Sequence, residues 1–426
     1  MNRREFLATP LALAACADVS PTPPTDLSSR TPAGPATIRD PITLDGWAAQ
    51  SPNEIHAVFA SGVRLDIASR ADLDAALRLG DKPKLLRIHG RIDLSEGRGA
   101  AQFTDPAFDF DAYCRAYSPQ ASGRRALAGP LEEARKRSAQ RQAAAIVVNV
   151  PPRTAIVGAT ADAGFADGTL MLERTHDVAI RNLHFHGVRD HFPAWDPLDG
   201  REGEWNSEYD AVSLRRSTRA WVDHCSFRSL HPARDRIFGR IFETNDGLLD
   251  ITLQSDLVTV SWCRFANHDK TMLIGGSDRH EADEGLLRVS LHHNLWENCA
   301  ERTPRVRFGR VHVANNLFVA TDAARYGYSI GLGKRCRIVS EENAWELAPG
   351  IDDGKLLRNW GGTQFSDRGS IRNGRPLDLV AAFRRTYPAV ELDDQRAFDP
   401  PPILGRVAAA EVATRVREGA GARRIE

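Results

Sequence analysis

Two short segments each place a pair of carboxylates close together along the chain. SEYDAV holds Glu208 and Asp210, and TNDGLLDI holds Asp246 and Asp250. On a strand, residues i and i+2 point the same way, about 7 Å apart. Two such carboxylates can reach one cation. An all-oxygen donor set, without histidine or cysteine, favours calcium over zinc. Asp246 and Asp250 share a strand face too, but roughly 13 Å apart if extended. They cooperate only where the chain bends, and Asn245-Asp246-Gly247 is a good turn. The plain alternative is a set of ordinary surface acids.

Cations follow. HDKTMLIG (268–275) puts Lys270 at a strand start, where a solvated lysine is the ordinary reading. ERTPRVRFG (301–309) carries Arg302, Arg305 and Arg307. Pro304 fixes its own φ and lacks a backbone donor, so it marks a bend before a strand. Beyond the bend, Val306 and Phe308 face one way, Arg305 and Arg307 the other, and Arg302 is aimed independently. Outward arginines on a strand can grip carboxylates in a bidentate fashion, so the stretch is a candidate local anion site. Asp223 and His224 in WVDHC are tempting as an acid–base pair. Strand neighbours point to opposite faces, however, which favours a buried structural role for one of them.

These groups need a scaffold, and six segments supply its template: VAIRNLHF (178–185), AWVDHCSF (220–227), VTVSWCRF (258–265), VSLHHNLW (289–296), VHVANNLF (311–318) and IVSEENAW (338–345). Each alternates, turns and ends on an aromatic. Two residues before each aromatic stand Leu183, Cys225, Cys263, Asn294, Asn316 and Asn343. One offset thus holds two cysteines in succession, then three asparagines. Stacked rungs of a parallel solenoid explain this, because equivalent positions then lie about 4.8 Å apart. A stacked asparagine can hydrogen-bond to its copies, so a buried polar row stays satisfied. The aromatics form a second row, and the cysteines are packed thiols. Successive aromatics are 42, 38, 31, 22 and 27 residues apart, so the shortest repeat is about one turn and the rest carry loops.

The fold expected is therefore all-β, a parallel β-helix with short N-terminal and C-terminal helices. Ala71–Leu79 and 129–142 read as helices, the latter with Pro130 in its first turn and Glu132-Glu133 at its positive end. KPKLLRIHGRIDL reads as a strand. VAAAEVATRVREG (407–419) reads as a helix closed by Gly419 that covers an exposed end of the stack.

The 426 residues carry 56 basic and 56 acidic side chains. A neutral chain has no global field for polyanions, and its basic residues are not interleaved with exposed aromatics, so nucleic-acid binding is excluded. MNRREFLATPLALAAC resembles a twin-arginine signal (1–15) ending in a lipobox, with Cys16 acylated. Residues 16–41 are a Pro/Thr/Ser-rich tether and 42–426 the folded domain. The expectation is a monomer, exported and lipid-anchored in the cell envelope, facing periplasm or exterior. The five remaining cysteines form no disulfide framework or zinc pattern.

WVDHCSF, DGLLDI, SDLVTVSWCRFANHDKTMLIG and GLLRVSLHHNLWENCAERTPRVRFGRVHVANNLF resemble the calcium-dependent pectate lyase family over about residues 205–320. The resemblance implies a right-handed parallel β-helix that cleaves polygalacturonate by β-elimination, giving 4,5-unsaturated oligogalacturonides. By motif, Asp210, Asp246 and Asp250 match calcium ligands. Glu208 matches a position that joins when substrate-bound calcium is present. Arg302 matches the base at C5, and Lys270 and Arg307 match groups holding substrate carboxylates. The segment between Arg228 and Asn245 has no counterpart. Competing expectations are a pectin lyase on methyl-esterified chains and a non-catalytic glycan-binding β-helix.

An ionised carboxylate makes the neighbouring C5 carbon a poor acid, and cations beside it stabilise the enolate-like charge. The base is the difficult part, because free arginine has a pKa of about 12.5–13.8. Crowding Arg302 with Arg305, Arg307, Lys270 and calcium is expected to favour its neutral form. An alkaline rate optimum follows.

Overall fold

The computed structural model describes residues 42–229 and 235–422. Cys16, the signal and the tether lie outside them. Three sheets run along the molecule, parallel throughout except for the antiparallel last pair of the second, Ile371–Arg372 with Arg375–Pro376. Sheet I has ten strands, from Val63–Ile67 to Phe365–Arg368, and sheet II ten, from Arg91–Asp93 to Arg375–Pro376. Sheet III has eight, from Val147–Asn149 to Leu357–Trp360. One rung runs through Val212–Arg215 in sheet III, Thr218–Asp223 in sheet I and Ser226–Arg228 in sheet II. The next repeats it with Leu249–Thr252, Asp256–Ser261 and Arg264–Ala266. This is a parallel β-helix, with inward valines, leucines and isoleucines of all three sheets forming one continuous core.

The repeated offset falls at the turn from sheet I to sheet II. Asn294 Nδ2 donates to Asn316 Oδ1 (3.0 Å), and Asn316 Nδ2 to Asn343 Oδ1 (3.1 Å). The Cys263 backbone N–H donates to Asn294 Oδ1, which carries the row into the buried free thiols of Cys263 and Cys225. Just before each ladder residue stands one left-handed residue: Asn182, His224, Trp262, His293, Asn315 and Glu342, with φ between 49° and 55°. Beside the ladder, Phe185, Phe227, Phe265, Trp296, Phe318 and Trp345 stack within 4.4–6.1 Å of one another and within 12° of parallel.

Helices form at Arg70–Leu77 and Pro130–Ile146, and KPKLLRIHGRIDL makes two strands, Lys84–Ile88 and Arg91–Asp93, separated by Gly90 at φ +70°. The C-terminal helix, Ala409–Gly419, departs from expectation. It does not close an end of the stack. Val412 and Val416 pack on Leu295, Leu317 and Ala344, on the outer face of sheet II. The ends are covered instead by Arg70–Leu77, through Leu73 and Ala76, and by Leu379–Thr386, through Leu379 and Phe383. No helix among the described residues is long and apolar enough to cross a membrane.

Candidate active site

The strands of sheet III lead outward to the acids. Asp210 sits just before Val212–Arg215, Asp250 lies in Leu249–Thr252, and the register pairs Ser213 with Asp250. Asp210 is buried. It accepts from the Ser213 hydroxyl and, at 2.9 Å, from the Gly247 N–H. Asp250 Oδ1 accepts from the Leu273 N–H at 2.9 Å. A Cβ placed on Gly247 would stand 2.7 Å from both Asp210 Oδ1 and Asp250 Oδ1. The glycine therefore keeps open a small space with a carboxylate oxygen on either side.

These carboxylates repel one another. Burial, then the neighbouring Asp246, push Asp210 up to about 7 against the bonds from Ser213 and Gly247. Burial, then Asp210 and Asp246, push Asp250 well above the usual carboxylate range. Two acids whose ionisation is disfavoured in an oxygen-lined space are a suitable host for a hard cation, which would supply the missing positive charge. Among the described residues, no three His, Cys, Asp or Glu side chains already stand close enough to enclose a metal ion.

Glu208 differs from the strand-based expectation. SEYDAV is not a strand, so the same-face rule does not apply, and Glu208 is exposed while Asp210 is buried. Its charge acts instead on Asp190 and Tyr209. Asp190 is a buried acid that the sequence reading overlooked. Burial raises it to about 6, and it anchors the approach to Asp210 by accepting from the backbone of Phe192 and Glu208.

Lys270 bridges to Glu301 through its backbone, and its ammonium is paired with Glu243. Glu243 closes the segment without a counterpart in the resemblance. Burial raises its pKa, Lys270 and Arg302 lower it, and Asp246 raises it, so Glu243 stands among the cations and acids of the site. An acid three residues before Asp246 was the only signal for it in the sequence.

Arg302 takes a left-handed conformation, φ 59°, before Pro304 and the strand Arg305–Val306. Its Nε donates to Glu301 Oε1 at 3.2 Å. The cationic crowding expected around it is not what surrounds it. Burial works to lower its pKa, but Glu301, Tyr328, Asp246 and Asp250 outweigh burial and hold the guanidinium more firmly charged. The crowding falls on Arg305, lowered to about 10 by burial and then by Arg307. The structure thus brings Arg302 into the field of Asp246 and Asp250, while Arg305 meets the cationic crowding.

Val306 and Phe308 are fully buried, and Arg305 and Arg307 lie on the outer face. Arg307 Nε donates to Asp278 Oδ1 (2.6 Å) and its Nη1 to the Gly275 carbonyl (3.0 Å). Arg305 lies over Trp360 at 4.2 Å, with Arg358 at 5.4 Å from the same ring. Register aligns Arg305, Gly331 and Arg358 on successive rungs. A Cβ on Gly331 would stand 3.0 Å from Arg305 Cγ and Tyr328 Cε2, so the glycine lets the arginine lie across its rung. Trp360, 39% exposed between two guanidinium groups, is an aromatic surface that the sequence reading did not assign.

Asp223 and His224 do touch, His224 Nδ1 to Asp223 Oδ2 at 2.7 Å, because His224 occupies the left-handed turn position rather than the strand. Asp223 is nevertheless structural: it is buried and also accepts from Arg181 Nε and the Ser261 hydroxyl.

Comparisons with known proteins agree with this architecture. A family model described as pectate lyase matches residues 128–390. The chain is 34% identical over 353 residues to a pectate lyase of Bacillus subtilis (strain 168), covering 79% of this chain and 84% of that protein. The solved structure of the thermostable pectate lyase PL 47 superimposes with a TM-score of 0.83 at 36% identity, covering 90% of this chain and 97% of that one. A pectate lyase bound to a hexasaccharide superimposes with a TM-score of 0.83 at 32% identity, covering 89% and 96%.

Proposed function

The chain belongs to the pectate lyase family, and from that premise we propose that it cleaves de-esterified polygalacturonate by calcium-assisted β-elimination with Arg302 as the base at C5. The observation that carries this reading is the position of Arg302 in the field of Asp246 and Asp250. A base and a cation cradle then flank one sugar unit.

Asp210, Asp246 and Asp250 would hold the ion, with Glu208 joining at the exposed edge when substrate is bound. Calcium bound there would supply positive charge to the uronate carboxylate, which would acidify the C5 proton. Lys270 and Arg307 orient the substrate carboxylates once these displace Glu243 and Asp278 from them. Arg302 takes the C5 proton as the neutral guanidine and becomes guanidinium; the C5–H electron pair forms the C4=C5 double bond, the C4–O bond breaks, and the departing glycosidic oxygen takes a proton from water. Neutralising Asp246 and Asp250 would remove part of what holds Arg302 protonated, so the acid cluster also bears on how readily the base is freed.

Export and anchoring through Cys16 belong to the same reading. They are supported by the order of Arg3-Arg4, the apolar run and Cys16. Mass spectrometry of the protein from its native membrane tests them: a lipid-modified N-terminal Cys16 is expected, and an unmodified N-terminus retaining residues 1–15 would contradict it. Assay of unsaturated product from polygalacturonate, with and without chelator, tests the chemistry.

A further inference from the structure

A wide cavity lies on the outer face of sheet II, not beside the acid cluster. It measures about 780 Å³ and is lined by Arg91, His184, His186, Ser226, Arg228 and Arg264 among others. These come from the successive strands Arg91–Asp93, His184–Phe185, Ser226–Arg228 and Arg264–Ala266, or from residues just beyond them. The strand Gly164–Ala166 lies between the first two. The groove therefore runs along the stack for four rung steps, roughly 19 Å. That is a length for a short oligosaccharide rather than a single sugar.

Its chemistry suits an anionic chain. Arg91, Arg228 and Arg264 are exposed, and the Arg91 side chain makes no hydrogen bond or ion pair with a described residue. Arg228 Nε donates to His186 Nδ1 at 3.2 Å, which fixes the direction of its guanidinium. Arg264 is held by Glu297, and Asp162, bonded by the Thr160 hydroxyl, is the one acid of the lining. Ser226 and Asn267 add hydroxyl and amide groups. Ser226 Oγ already accepts from the Ala422 N–H, so the residues after the C-terminal helix form one bank.

Asn267 also lines the cavity that contains Glu243, His268, Asp269 and Lys270. The two spaces therefore meet at one residue. Resting on the function proposed above, we infer that the sheet II groove is a second, non-catalytic binding site for a stretch of polyuronate. It captures chains long enough to engage both surfaces and raises their effective concentration at the cleft. A trisaccharide that fills the cleft alone gains nothing from it.

The test uses the full chain with calcium, comparing long polygalacturonate with trigalacturonate. The variants are Arg91→Glu and the double variant Arg91→Ala/Arg228→Ala. Exposed arginine–carboxylate contacts predict a roughly three- to tenfold rise in KM on the polymer, with trigalacturonate constants within about twofold of the parent. Unchanged KM on the polymer, or equal losses on both substrates, would overturn the inference. A second measurement needs no turnover. In a native gel containing polygalacturonate and chelator, the Arg302→Ala protein should be retarded, and adding Arg91→Glu should relieve this. Retardation that persists overturns the groove. Absence of unsaturated product from the parent on either substrate would instead reject the lyase reading and leave the gel as the test of the groove.

Discussion

Glu243 is ion-paired with Lys270, and both side chains are only about one-fifth exposed. A carboxylate supplied by the chain thus occupies the ammonium assigned to a substrate carboxylate. Glu243→Gln should free Lys270, lowering KM for polygalacturonate roughly two- to fivefold with kcat little changed, as expected for a partly screened pair. Steady-state kinetics separate the two constants. A raised KM would mean that Glu243 orients the lysine rather than competing for it.

Arg302→Ala should lower kcat by roughly 10²- to 10⁴-fold, the usual range for loss of a general base. The melting temperature should change little, since among the described residues its guanidinium hydrogen-bonds only to the adjacent Glu301. For the parent at saturating calcium, kcat should climb with pH from neutrality into the alkaline range, because the fraction of Arg302 present as neutral guanidine grows with pH. A flat profile there would count against Arg302 as base.

Gly247→Ala should weaken calcium binding by about tenfold or more, since the added Cβ would stand 2.7 Å from an oxygen of each of two carboxylates. Titration calorimetry measures the affinity, and high calcium should restore much of the activity. Unaltered affinity would mean that the cation does not sit between Asp210 and Asp250.

Asp210 predicts an unusual pH dependence of stability. Its carboxyl titrates near 7 in the folded chain, against an ordinary value of 3.8. An acid raised on folding contributes stability that is fully present below about pH 4 and lost as pH rises through about 7. In chelator, the melting temperature of the parent should therefore fall as pH rises through about 7 by more than that of Asp210→Asn. Calcium should remove the difference. Parallel curves for parent and variant in chelator would contradict the account.

The stack was legible in the sequence because one offset repeats: Asn294, Asn316 and Asn343 can recur at one position only if that position meets itself on the next rung. The alternation of Val306 and Phe308 with Arg305 and Arg307 likewise fixed which faces they occupy. What was not legible depended on contacts between distant segments. The apolar stripe of Ala409–Gly419 shows that one face is covered but not by which surface, so its seat on sheet II could not be read. Glu243 lies in an insertion without period. Glu301 adjoins Arg302 in the chain, but Asp246 and Asp250 reach it from a different rung, so the sign of its surroundings was misjudged from its cationic neighbours.

The most direct measurement follows the ultraviolet absorbance of the C4=C5 unsaturated uronate as purified protein acts on polygalacturonate, with calcium and then with chelator. The account predicts a signal that calcium supports and chelation abolishes. No signal in excess calcium would contradict it, and a signal on methyl-esterified pectin that survives chelation would assign the chain to a different lyase chemistry.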